Sequence, residues 1–110
     1  MLANETSFKH LSVSELHHDL AENKYVVVDI RDENSFQASH IPGSIHLTND
    51  SLAQFLRDAD FDQSVVVCCY HGISSQQAAD FLISQDFTDV YSLDGGFVQW
   101  QQVYPTDIES

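Results

Sequence analysis

The sequence predicts an α/β fold, an open parallel sheet with helices on both faces. Two unbroken apolar runs, Tyr25-Val-Val-Val-Asp29 and Ser64-Val-Val-Val-Cys-Cys69, suit central strands covered on both sides. Helical patterns alternate with these and with weaker strand candidates along the chain, the arrangement that favours parallel pairing. The length of 110 residues suits one domain with one core, so residues 1–110 are expected to form a single unit.

Phe8 to His10 is the first, weak candidate for an edge strand. Ser12-Val-Ser-Glu15 then matches a capping box, and a surface helix follows with Val13, Leu16 and Leu20 on one face. After the strand Tyr25–Asp29, Gly43 to His46 is a second weak edge candidate. A helix over Ser51 to Arg57 presents Leu52, Phe55 and Leu56. The strand Ser64–Cys69 precedes a helix over Ser75 to Ser84, where Ala78, Ala79, Phe81, Leu82 and Ile83 suit close packing on a sheet. Asp89–Leu93 is a further strand. Gly95-Gly96 opens the last helix, with Phe97, Trp100 and Tyr104 turned inward and Pro105 ending it. In open parallel sheets the active site lies at the carboxyl ends of the strands, which singles out the strand ending in Cys68-Cys69.

Seventeen acidic residues against four basic ones give a net charge of −13, which argues against nucleic acid or an anionic membrane as partner. An anion-binding site in such a chain has to use local backbone dipoles or an isolated side chain. No apolar run is long enough to cross a membrane and the first residues lack a signal-peptide pattern, so a soluble, cytoplasmic protein is expected. The histidines, His10, His17, His18, His40, His46 and His71, make no recognisable ligand spacing, and no metal site is expected. Cys68 and Cys69 are adjacent, which disfavours a structural disulfide and suggests free thiols in a reducing compartment.

The segment Cys69-Tyr-His-Gly-Ile-Ser-Ser75 leaves a central strand, turns through a glycine and enters a helix. If it curls around the sulfur, the N–H groups from His71 to Ser75 point inward together with the positive end of the helix. Such a nest lowers a thiol pKa and holds a thiolate, a persulfide or an oxyanion. Cys69 is therefore the candidate nucleophile, and Cys68, one residue earlier, is the core cysteine. Gly72 suits a tight turn without Cβ. Tyr70, His71, Ile73 and Ser74 are loop positions that can contact substrate by side chain or by N–H alone. Ser74 and Ser75 can add hydroxyl donors to the sulfur, Ser75 can equally cap the following helix, and the two roles can coexist. A general-base role for His71 is less attractive, because the amides already hold the thiolate. Asp29 and Arg31, two apart at a strand end, can pair with each other and act as scaffold, with Arg31 retaining some capacity to attract an anion. His40 is expected to brace the loop before Pro42.

Three motifs carry a resemblance to the rhodanese family over nearly the whole chain. They are Val-Val-Asp29-Ile-Arg31 with Phe36 and His40-Ile-Pro-Gly43, then Cys69-Tyr-His-Gly72-Ile-Ser-Ser75, then Leu93-Asp-Gly-Gly-Phe97 with Trp100. Within that family the short length, the Cys-Tyr-His-Gly loop and His46-Leu-Thr-Asn-Asp50 resemble most the single-domain bacterial enzymes. The resemblance implies a five-stranded sheet, a Cys69 persulfide and no organic or metal cofactor. It also implies transfer of sulfane sulfur from thiosulfate to cyanide or to a thiol acceptor such as thioredoxin.

Other functions compete with this one. A cysteine-dependent phosphatase or arsenate reductase needs an arginine six positions after the cysteine, and Ser75 stands there. A catalytically silent binding module would be expected to lack Cys69. A sulfur carrier or persulfide sensor charged by a protein persulfide would use the same Cys69 chemistry.

Overall fold

Valines fill the middle of the sheet because β-branched side chains fit a pleated surface that is covered on both sides. The computed structural model describes residues 7–110. Its strands are β1 (Lys9–Leu11), β2 (Val26–Asp29), β3 (Ile45–His46), β4 (Val65–Cys68) and β5 (Val90–Leu93). They form one parallel sheet in the order β1-β5-β4-β2-β3, with β4 at the centre and the two weakest sequence candidates at the edges.

The helices are α1 (Val13–Leu20), α2 (Glu33–Ala38), α3 (Asn49–Asp58), α4 (Ser74–Ser84) and α5 (Gly96–Val103). α1 starts at the expected capping box, where the Glu15 N–H donates to Ser12 Oγ and the Ser12 N–H donates to Glu15 Oε1. α3 begins two residues before the expected Ser51, because Thr48 and Ser51 form a second capping box that places Ser51 at the third helical position. α2 is not anticipated by the sequence pattern. It buries none of its residues and so shows no apolar stripe, and it is started by Asp32, whose carboxylate accepts from the Ser35 N–H. α5 ends before Pro105, and Tyr104 caps it while its ring stacks on His17 of α1 at 3.8 Å.

Alternation along the strands divides the core into two layers. Val27, Val66 and Cys68 pack with Leu16, Phe97 and Trp100 on the α1/α5 side. Val28, Val65 and Val67 pack with Ala79, Leu82 and Phe87 on the other side, where Phe55 and Leu56 of α3 lie half-buried against them. The same alternation separates the two cysteines: Cys68 belongs to the first layer, and the next residue leaves the strand toward α4. Among the described residues, no helix is long and apolar enough to cross a membrane.

Candidate active site

Cys69 follows the last residue of β4 and is 4% exposed. The chain then turns at Gly72, whose φ of +84° lies in the left-handed region. A Cβ there would stand 2.8 Å from Gly95 N and 2.9 Å from Leu93 O, so the turn requires glycine twice over. The turn brings the Gly72 N–H to 3.2 Å from Cys69 Sγ and the Ser75 N–H to 3.3 Å. Ser75 is the second residue of α4, so its N–H has no partner within the helix. Ile73, at the cap position, supplies no side-chain acceptor, and the Cys69 sulfur takes that place at the positive end of the helix.

This geometry corrects one sequence expectation. Ser75 does not cap α4, because the helix already starts at Ser74 and the Ser75 hydroxyl lies 2.7 Å from the Ser92 hydroxyl instead. Ser92 was not found by sequence reasoning; a serine inside a strand leaves no periodic signal.

The amino end of α5 supports the loop from behind. Phe97 N–H donates to Cys69 O at 2.8 Å and Val98 N–H to Tyr70 O at 3.0 Å. These bonds draw the first carbonyls of the loop toward α5, leaving N–H groups to face the sulfur. Gly96 permits the approach, since a Cβ on it would meet Cys69 O at 2.5 Å.

Burial, the largest single influence, acts to raise the Cys69 pKa. The Ser75 hydroxyl and the N–H groups of Ser75, Gly72 and His71 together outweigh it and hold the thiol below its ordinary value. Cys68 goes the other way, pushed well up by burial and then by the nearby Asp29 carboxylate. Alkylation of the reduced protein should therefore label Cys69 with a midpoint below that of an ordinary thiol and leave Cys68 unlabelled until much higher pH. Mass spectrometry of the labelled peptide against pH checks this, and a Cys69 midpoint at or above the ordinary thiol value would count against it. For a pKa depressed in the folded state, the associated stabilisation is present above the unfolded thiol pKa. It is lost as pH falls through the folded value.

Asp29 and Arg31 form a buried pair, 0% and 6% exposed. Arg31 Nη2 donates to Asp29 Oδ2 at 2.7 Å, Nε donates to Oδ1 at 3.0 Å, and the Arg31 N–H donates to Oδ1 at 2.9 Å. Nη2 also donates to Ser39 O at 2.7 Å, and the guanidinium sits 4.1 Å from the centre of the Phe97 ring. The charge of Arg31 is thus engaged inside the protein. Tyr70 lies over the outer side of Arg31, and its hydroxyl donates to the Asp32 carboxylate and contacts the Ser35 hydroxyl. The Tyr70 bond, followed by those of Ser35, holds the Asp32 carboxyl down to about 2. This latch ties the cysteine loop to the start of α2.

His71 is exposed, and its N–H rather than its ring acts on Cys69. Ile73, 72% exposed, and Ser74 form the outer rim of the loop. His40 lies away from the sulfur: Nδ1 donates to Phe36 O at 2.6 Å, the ring stacks on Phe36, and the backbone pairs with Glu109. His46 braces the opposite side, its Nε2 donating to Arg31 O at 2.6 Å.

Residues 12–103 match the family model of the rhodanese-like domain. A protein of Pseudoalteromonas translucida named thiosulfate sulfurtransferase GlpE is 48% identical over 103 residues, spanning 94% of this chain and 98% of its own. A protein of the same name from Pseudomonas syringae is 53% identical over 88 residues, spanning 80% of this chain and 83% of its own. The fold is similar to that of a rhodanese-like domain from Anabaena solved in solution, with a TM-score of 0.81 at 20% identity over 92% of this chain and 78% of that one. By its family match over most of its length and by two relatives near half identity, this chain belongs to the rhodanese family.

Proposed function

We propose that the protein is a thiosulfate sulfurtransferase working through a persulfide on Cys69. The observation that carries this is a buried cysteine sulfur receiving two loop N–H groups at 3.2 and 3.3 Å at the start of a helix. The names of the two GlpE relatives support thiosulfate as the donor. The Cys69 thiolate attacks the outer sulfur of thiosulfate, the sulfur–sulfur bond to the sulfonate breaks, and sulfite leaves with the bonding pair. The enzyme is left as an anionic persulfide. Cyanide then takes the outer sulfur as thiocyanate and restores the thiolate; with a small thiol or thioredoxin in place of cyanide, the acceptor thiolate takes the outer sulfur as its own persulfide and Cys69 again leaves as thiolate.

The loop residues divide the work. The Gly72 and Ser75 amides, with that of His71, hold Sγ, and the Ile73 and Ser74 amides are the donors left for the outer sulfur. Tyr70 fixes the rim of the loop. Asp29, Arg31 and His40 keep the loop and its neighbours in place. No metal or organic cofactor enters the reaction. The loop between Cys69 and Ser75 has no arginine or lysine to neutralise a phosphoryl group, which favours one large sulfur atom over a tetrahedral phosphate. Free, adjacent thiols suit a reducing cytoplasm.

Intact mass after incubation of reduced protein with thiosulfate tests the proposal. Wild type and Cys68→Ser should gain one sulfur, about 32 Da, and lose it to cyanide or a reducing thiol. No gain on either would sink thiosulfate as donor, and a gain from a protein persulfide alone would make the domain a sulfur carrier. Affinity for free thiosulfate should also be weak, because a dianion approaches a net charge of −13 and meets neutral amides. Submicromolar binding at low salt, measured by calorimetry, would contradict that expectation.

A further inference from the structure

Ser92 is a polar residue in a position built for an apolar one. It lies in β5 opposite Val67 of β4 and is 0% exposed. Around it the α4 side of the sheet is lined by Val65, Val67, Val90, Ala79 and Leu82. A hydroxyl in such a layer is costly unless it is paired, and among the described residues the partner of Ser92 Oγ is Ser75 Oγ at 2.7 Å. Ser75 is itself 0% exposed, and its N–H is one of the two that reach Cys69 Sγ. Two small apolar residues would fill this space without any polar group to satisfy. The pair is therefore poorly explained by stability alone.

We propose that Ser92 is a positioning residue of the sulfur site, pinning the first turn of α4 to β5 through Ser75 and so holding the Ser75 N–H on Cys69 Sγ. The inference rests on the sulfur chemistry assigned to Cys69. The two hydroxyls carry two protons and share one bond. Either hydroxyl can donate in this bond, and when Ser92 donates to Ser75 Oγ the Ser75 proton is free to turn toward the sulfur. The Ser75 hydroxyl is among the influences that hold the Cys69 thiol below its ordinary value, beside the Ser75 N–H at 3.3 Å from Sγ. Each bond in such a chain polarises the next, so Ser92 strengthens a contact that it does not make itself.

The test is the pH profile of Cys69 alkylation by iodoacetamide in the reduced protein, without thiosulfate, with a thermal melt on each variant. Ser92→Ala should move the midpoint upward and slow labelling at neutral pH by about threefold to tenfold, the range of one net hydrogen bond. Ser75→Ala should do at least as much, and the double variant should label no more slowly than Ser75→Ala alone, because Ser92 acts through Ser75. If Ser92→Ala does not fold, Ser92→Thr and Ser92→Val, matched in volume, carry the same comparison: the threonine keeps the wild-type profile and the valine loses it. A Ser92→Ala profile that overlays wild type, or a Ser92→Thr and Ser92→Val pair with the same profile, would overturn the proposal. So would full additivity of the Ser92 and Ser75 effects. Failure of wild type to form a persulfide would instead count against the thiosulfate reaction and leave this titration unaffected.

Discussion

Cys69→Ser should lower thiocyanate production from thiosulfate and cyanide by at least about a thousandfold while the protein still folds. The serine hydroxyl is far less acidic than the thiol and does not accept a sulfane sulfur, so the first step is lost outright and not merely slowed. The fold should survive because an oxygen at this position is still an acceptor for the N–H groups of Gly72 and Ser75, which now bond to sulfur. Serine is also among the better helix-capping residues. A melting temperature within a few degrees of wild type would separate loss of the nucleophile from loss of structure. Residual turnover within tenfold of wild type would mean that the sulfur passes through another group.

The second large effect concerns stability. Asp29→Ala should destabilise the protein by about 3–5 kcal/mol, because it leaves the Arg31 guanidinium buried without its counter-charge. For a chain of this size that lowers the melting temperature by at least about 12 °C. Removing both charges, with Asp29→Ala and Arg31→Met together, should recover much of the loss, since no unpaired ion then remains in the interior. A drop of only a few degrees for Asp29→Ala would show that water or rearrangement reaches Arg31. The consequence extends to the site, because Arg31 packs against both Phe97, whose N–H holds Cys69 O, and Tyr70, which follows Cys69 in the loop.

Much of this was legible in the sequence where one physical signal dominated. The valine runs marked β2 and β4, the capping box at Ser12 marked α1, and a cysteine between a buried strand and an amphipathic helix marked the candidate site. What escaped was held by partners distant along the chain or too short to show a pattern. α2 is six residues long and buries none of them, so the only local signal was Asp32 three residues before Ser35. Tyr70 is visible as a loop residue, yet its hydroxyl partners lie 38 and 35 positions earlier. Ser92 acquires its meaning only when β5 is laid beside α4. Spacing along the chain could equally have left Ser75 as a helix cap, and only the position of the Cys69 sulfur shows why that role was already taken.

That sulfur closes the end of α4 in the manner of a capping side chain. In the proposed reaction the atom that takes up sulfur is thus also a structural member. A charge resting on it lies against the positive end of a helix, and a neutral thiol in the same place gives that end much less. The hold on the first turn of α4 is then not a constant of the chain but follows the ionisation of one atom. Protonation of Cys69 therefore takes charge away from the start of α4, and the first turn of that helix is held more firmly at a pH where the thiol is ionised than where it is not.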